Sequence, residues 1–437
     1  MSTLIVEVCA VDSVRDHPNA DRLDIAKIKG WEVCIGKGQF APGDKVVYIP
    51  YDAVLPPELG NGPEDDPPGR LGVMKYCAPL PKDEDGNRPS GGRVMAVRLR
   101  GARSFGLVME LLPSDPDWEV GTNVAEHFGI TKWEPTIVCH DAEAPHPRFH
   151  TYTDIEHYGN YPGAIPEGED VVMTEKIHGK NCRHGLVLDR DDAGNADWVW
   201  MAGSNTFRRK EFHTKQHRFN ARRLVEFEVL SSPDVKAGQI FKNRRGHYYK
   251  VDELLEGPPG SKLFLATLVN PDGVPMTFES EFWQAMTPPV KTMLGFVRDF
   301  LEWPEPKAGI VLFSELYGRG IQDMEYGMQT TGIRAFDIAV NDVYLDYVDK
   351  MELFRRFGIE QVPVLYRGPF SAKYLLEHTD GPTKVCDPKK AGKFSGREGV
   401  VITPTKERFS EELKGRAILK SVSDLYAERS GATDNVE

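Results

Sequence analysis

Lys176, His178, Asn181 and Arg183 stand within eight residues of one another, just past the apolar run Val171-Val-Met-Thr174, with Glu175 between. A lysine held at the end of a strand loses part of its hydration, which lowers its pKa and frees the amine lone pair to attack an electrophile. Lys176 is therefore the candidate nucleophile. Three later runs end in groups that such an attack on phosphorus would use. Val311-Leu-Phe-Ser-Glu315 is an apolar stretch closed by a carboxylate, Arg397-Glu398-Gly-Val-Val-Ile402 sets an acid just ahead of a buried-strand pattern, and Arg416-Ala-Ile-Leu-Lys420 ends in a cation. An acid projecting into a cleft suits a divalent metal, and Glu398 is the candidate ligand. Taken singly each pattern is ordinary: Lys-x-x-Gly marks a surface lysine before a turn, and a strand-end glutamate is usually solvated. Their weight comes from occurring together and in order.

These groups need elements to hold them. His184-Gly-Leu-Val-Leu188 and Trp198-Val-Trp-Met-Ala202 read as paired strands joined by a turn at 189–195. Residues 264–269 suggest a strand and 293–301 carry helical periodicity. Ahead of them, residues 4–11, 31–35, 45–50, 94–100 and 106–112 are short runs of β-branched and aromatic residues separated by Gly, Pro and Asp, the pattern of a small barrel. Stretches 61–69 and 79–92, dense in Pro, Gly and Asp, read as surface loops. From about 113 to 162 prolines, histidines and acids replace periodicity, which places the interdomain connection there.

A chain of 437 residues has room for two or three domains, and 40% hydrophobic with 27% charged residues is an ordinary globular balance. No apolar run reaches the roughly 18 residues of a membrane span, and no basic region leads an apolar one at the N-terminus, so no membrane partner is expected. The six cysteines are scattered with no Cys-x-x-Cys pair, so neither a zinc site nor a disulfide framework is expected, and the expected location is cytoplasmic. A net charge of −12 counts against a protein that coats nucleic acid nonspecifically. It leaves open a local groove, because phosphate contacts act within a Debye length. The most basic stretch, Arg208, Arg209, Lys210, Lys215, Arg218, Arg222 and Arg223, is interleaved with aromatics and suits phosphate contact.

Lys176-x-His178-Gly179-x-Asn181-x-Arg183 resembles motif I of the covalent nucleotidyltransferases, the polynucleotide ligases and mRNA capping enzymes. With His178 in place of the more usual Asp, it resembles the branch of ATP-dependent RNA ligases that includes bacteriophage T4 RNA ligase 2. In order along the chain, Val311-Leu-Phe-Ser-Glu-Leu-Tyr-Gly318 resembles motif III, Arg334-Ala-Phe-Asp-Ile-Ala-Val340 motif IIIa, the run at Glu398 motif IV and the run at Lys420 motif V. His17-Pro-Asn-Ala-Asp-Arg-Leu-Asp-Ile-Ala-Lys-Ile28 resembles the opening of the OB-fold in tRNA-binding domains.

The resemblance implies ATP as cofactor, a divalent metal (Mg2+ or Mn2+) and RNA as partner, as a nicked duplex or broken ends. Lys176 would carry AMP, Glu315 would contact the ribose, Phe336 would stack on the base, Glu398 would hold the metal and Lys420 would face the phosphates. Glu175 and His178 would lie beside the nucleotide, with Glu175 at the adenine, and Asn181 and Arg183 near ribose, metal water or phosphate. The motif Ia arginine is Arg208 or Arg209. Ile418 occupies the position of the first motif V lysine, which leaves Lys414 or Arg416 as its replacement.

The expected fold class is α+β: an N-terminal OB-fold β-barrel at 1–126, a linker at 127–157, and an adenylyltransferase, ATP-grasp-like ligase domain at 158–437. That domain is expected to be built of antiparallel sheets with flanking helices, with an accessory insertion at about 224–304. An OB module ahead of the ligase domain, with only 17 residues after Lys420, resembles RNA ligases of the Deinococcus type. A monomer is expected. Two competing readings are a noncatalytic OB-type RNA-binding protein and a capping-type guanylyltransferase.

Overall fold

The computed structural model describes residues 4–80, 89–133, 141–190, 194–220, 227–228, 235–243, 245–255, 263–392 and 394–427. Cys139, Arg222 and Arg223 lie outside them. The architecture is mostly β, with antiparallel sheets and few helices.

In the N-terminal unit, Glu7–Ala10, Lys45–Ile49 and Leu107–Glu110 form one sheet, and Ser13–Asp16, Leu23–Ile28 and Trp31–Gly36 form another. Trp31–Gly36 alternates buried and half-buried residues, so its period of two puts Trp31, Val33 and Ile35 into one core. A second core gathers Val8, Val47, Ile49, Leu55 and Met109. The strands expected from the sequence are present around these cores, but among the described residues their hydrogen bonds divide into separate sheets and close no barrel. At Gly106 (φ +91) the chain passes so close to Ile49 that a Cβ would lie 2.3 Å from its carbonyl oxygen.

The expected linker at 127–157 is largely absorbed by its neighbours. Thr131–Lys132 pairs with Ala53 and Val54, and Ile130 is buried in the N-terminal core. Ala142–Glu143 pairs with Arg208–Arg209, and Phe149 and Tyr152 are buried against Phe313. Apolar residues that each pack alone leave no periodicity to read, which is why the stretch resembled a connection.

The C-terminal half carries two sheets facing one another. The first runs Ala142–Glu143, Arg208–Arg209, Ala196–Gly203, Lys180–Arg190, Gly309–Gly318, Thr331–Val340 and Val343–Tyr344, all antiparallel. The second runs Glu156–His157, Leu419–Val422, Gly399–Pro404, Asp170–Lys176 and Val364–Pro369, antiparallel except for its first pair. The accessory part is smaller than 224–304 and starts earlier. Gln216–Asn220 already leaves the main sheet to join Leu263–Val269 and Tyr248–Leu255 in a small sheet with its own aromatic core of Phe219, Phe241, Tyr249 and Phe264. The helix Pro288–Asp299 belongs to the main body: Val290, Met293, Leu294 and Val297 cover Leu186 and Leu312 on the back of the seven-stranded sheet.

Candidate active site

The strand Asp170–Lys176 is the hinge of the site. Val171 and Met173 point into the core of the five-stranded sheet, so the alternation turns Val172, Thr174 and Lys176 toward the cleft between the sheets. Register sets Lys176 opposite Gly399, which brings its amine to Glu398. The chain then crosses in three residues to the other sheet, where Asn181 pairs with Glu315. Gly179 makes that crossing possible, because a Cβ there would meet Leu316 O at 2.4 Å and Glu315 Cγ at 2.9 Å.

The cleft brings together Glu175, Lys176, Asn181, Glu315, Phe336, Glu398 and Lys420, contributed by both sheets. Lys176 Nζ donates to Glu398 Oε1. Glu398 is 1% exposed. Burial works to raise its carboxyl, but the Lys176 charge and the His178 ring outweigh it, and the net shift is downward. Glu315 shows the opposite balance. Desolvation pushes its carboxyl up to about 8, with Lys176 pulling down and Glu398 pushing up. Phe336 presents a ring to the cleft with Tyr152 edge-on at 5.0 Å.

Other expected residues sit differently. Glu175 lines the cleft, but its carboxylate accepts from Thr383 Oγ1 at 2.5 Å and Lys384 N at 2.7 Å, so the side chain anchors the segment at 383–384. His178 is buried beside Glu398, its Nδ1 3.6 Å from Oε2. Arg183 is not part of the cleft wall. It lies one strand period beyond Asn181, where the segment Phe149-His150 covers it, and its guanidinium donates to the carbonyls of Phe149, His150 and Ser204. Arg208 and Arg209 are likewise off the wall, held by Glu143 and Asp141 at 2.9 and 2.6 Å. Of the two proposed substitutes for a motif V lysine, Lys414 is at the surface with Glu411, while Arg416 is buried against Asp337 and Glu407. Ile418 fills its own position as part of the apolar wall.

The sequence reading passed over the far end of the cleft, where Asp337 is 2% exposed and accepts from Tyr152, Lys350 and Arg416. Burial opposes ionisation there, yet the two cations hold the carboxyl down at about 2. A single acid inside the apolar run Ala335–Val340 was a signal, since a buried charge needs partners.

The donors fit a hard divalent cation. Glu398 Oε2 and Asn181 Oδ1 are buried without a hydrogen-bond partner, and an ionised carboxylate oxygen facing a cleft is a hard ligand. Among the described residues no group of three His, Cys, Asp or Glu side chains encloses a metal.

Residues 275–422 match the family model for RNA ligase, and residues 5–61 match one for an OB-fold domain. No curated protein matches the chain. Among solved structures it is similar to the RNA ligase of Naegleria gruberi. A point variant in apo form shares 20% identity over 98% of both chains at a TM-score of 0.63. A variant with ATP and Mn shares 19% over 97% of this chain and 98% of that one, at 0.61. The enzyme with PPi shares 20% over 98% of both, also at 0.61. The likeness establishes a common overall fold.

Proposed function

We propose that this chain is an ATP-dependent RNA ligase that joins 3′-OH and 5′-phosphate ends through lysyl-AMP and adenylylated RNA, acting in RNA repair as a cytoplasmic monomer. The observation that carries the reading is one amine, Lys176, held against a buried carboxylate at the mouth of a cleft that also offers a stacking ring and a second lysine. The RNA ligase match over 275–422 and the solved relatives with ATP and Mn support the same choice of chemistry.

In the first step Lys176 Nζ, once its proton is shed, bonds to the α-phosphorus of ATP as the bond to pyrophosphate breaks. Phe336 offers its face to the base. Glu315, whose carboxyl burial pushes up to about 8, offers hydrogen-bonding oxygens to the ribose hydroxyls. Lys420 faces the phosphates. A divalent cation bound at Glu398 would supply positive charge beside the phosphates. AMP then passes to the 5′-phosphate of RNA, and a neighbouring 3′-OH displaces it to close the phosphodiester. Positioning and electrostatics carry most of the acceleration in such transfers.

Incubation with labelled ATP or GTP, without RNA, tests this. The expected result is a covalent AMP adduct that survives denaturation and is lost in Lys176→Ala. Label from GTP alone would favour capping chemistry, and label from neither a binding module.

A further inference from the structure

The ring of His178, next to the nucleophile, is gripped from both sides. Nε2 lies 2.7 Å from Asp323 Oδ1, Nδ1 lies 2.9 Å from the Tyr426 hydroxyl, and the backbone N–H donates to the Tyr326 hydroxyl at 2.7 Å. Held at both ring nitrogens, by Asp323 and by the Tyr426 hydroxyl, the ring is fixed at the edge of Glu398. Tyr426 is 1% exposed, yet it sits on a helix of only four residues, Asp424–Ala427. Such a helix has no stability of its own, so what surrounds it must place it.

The Tyr426 ring is buried among Ile177, Tyr317 and Tyr326 of the C-terminal half, and the N-terminal unit holds the ends of the helix. Asp424 pairs with Arg103, and Ala427 packs into the core that holds Trp31, Tyr48 and Phe105. From the other side Ser423 N donates to Glu398 O at 2.7 Å. The unit itself is pinned to the five-stranded sheet: Trp31 Nε1 donates to Asn160 Oδ1 at 3.0 Å, and its ring lies 4.2 Å from that of His157. The contacts therefore run without a gap from Arg103 through the short helix to His178 and Glu398.

We propose that Tyr426 is a positioning residue of the lysine-adenylylation centre: docking of the N-terminal unit on Asp424–Ala427 holds its hydroxyl on His178, which fixes Glu398 beside Lys176. The inference rests on the ligase reading of the cleft. It gives the OB-type unit a task separate from touching RNA, since it completes the site for the step that precedes RNA binding.

Single-turnover formation of the AMP adduct by the full chain, without RNA and with ATP varied, tests it. Tyr426→Phe keeps the ring and removes only the hydroxyl. The plateau rate is expected to fall about 10-fold to 100-fold, the scale of a misplaced reacting group. The ATP concentration at half-maximum is expected to move less than about 3-fold, because the contact orients the chemistry and does not touch ATP. Arg103→Asp should lower the same plateau, and adding Asp424→Arg should restore it. A Tyr426→Phe plateau equal to that of the unsubstituted chain, or a loss confined to ATP half-saturation, overturns the proposal, as does a charge swap that restores nothing. Absence of any adduct from the unsubstituted chain would instead remove the ligase reading, and this inference with it.

Discussion

The two ends of one cleft hold the same kinds of residue and treat them in opposite ways. At the far end Asp337 faces two cations and a tyrosine hydroxyl, and its carboxyl is held down at about 2. At the mouth two carboxylates, Glu315 and Glu398, share the charge of Lys176. Burial pushes Glu315 up to about 8 against the pull of Lys176, and Glu398 Oε2 is left without a hydrogen-bond partner. A fully compensated cluster is a structural clamp. An undercompensated one is poised to take up positive charge from a ligand or metal, which is where perturbed groups collect in functional sites.

Substitutions at the two ends should therefore separate stability from chemistry. Asp337→Asn leaves Lys350 and Arg416 buried with too little negative charge, and should lower unfolding stability by about 3–5 kcal/mol in denaturant titration. Glu398→Gln should change stability by less than about 1 kcal/mol, because Lys176 keeps some access to water, while adduct formation collapses. Equal losses of stability at the two positions would erase the contrast.

Glu315 sharpens the contrast through pH. Its carboxyl ionises near its ordinary 4.5 in the unfolded chain but near 8 in the folded one, so between those values the folded state holds the extra proton. Stability should then fall as pH rises from about 4.5 to 8. Glu315→Gln, measured by thermal unfolding across that window, should flatten the fall. Asp337 contributes in the other direction: what it adds is present above about 4 and lost as pH drops toward 2. Lys414→Ala marks the small end of the scale. Its side chain is 79% exposed beside Glu411, so stability should move by less than about 0.5 kcal/mol and adduct formation not at all.

The mouth of the cleft was legible in the sequence because its residues sit at strand ends, where spacing and neighbouring glycines mark them: Lys176, Glu315, Phe336, Glu398 and Lys420 all reach the cleft. The strands carrying them were visible as apolar runs. What stayed hidden depends on contacts between distant segments. Nothing local to Tyr426 says that it meets His178, 248 residues away, or that Arg416 turns inward to Asp337 while Lys414 stays outside. Arg183 misled because a periodic pattern gives a face and not a depth, and the segment covering it comes from 149–150. The stretch 127–157, expected as a linker, hid its packing for a related reason, as its described buried residues pack one at a time on two different bodies.

Among the described residues three lysines line the cleft, Lys176, Lys350 and Lys420, and the account depends on the first being the nucleophile. Proteolysis of the chain after incubation with ATP and a divalent metal, followed by mass mapping of the adenylylated peptide, decides among them. AMP on Lys176 is the expected result. AMP on Lys350 or Lys420, or an unmodified chain, would contradict it.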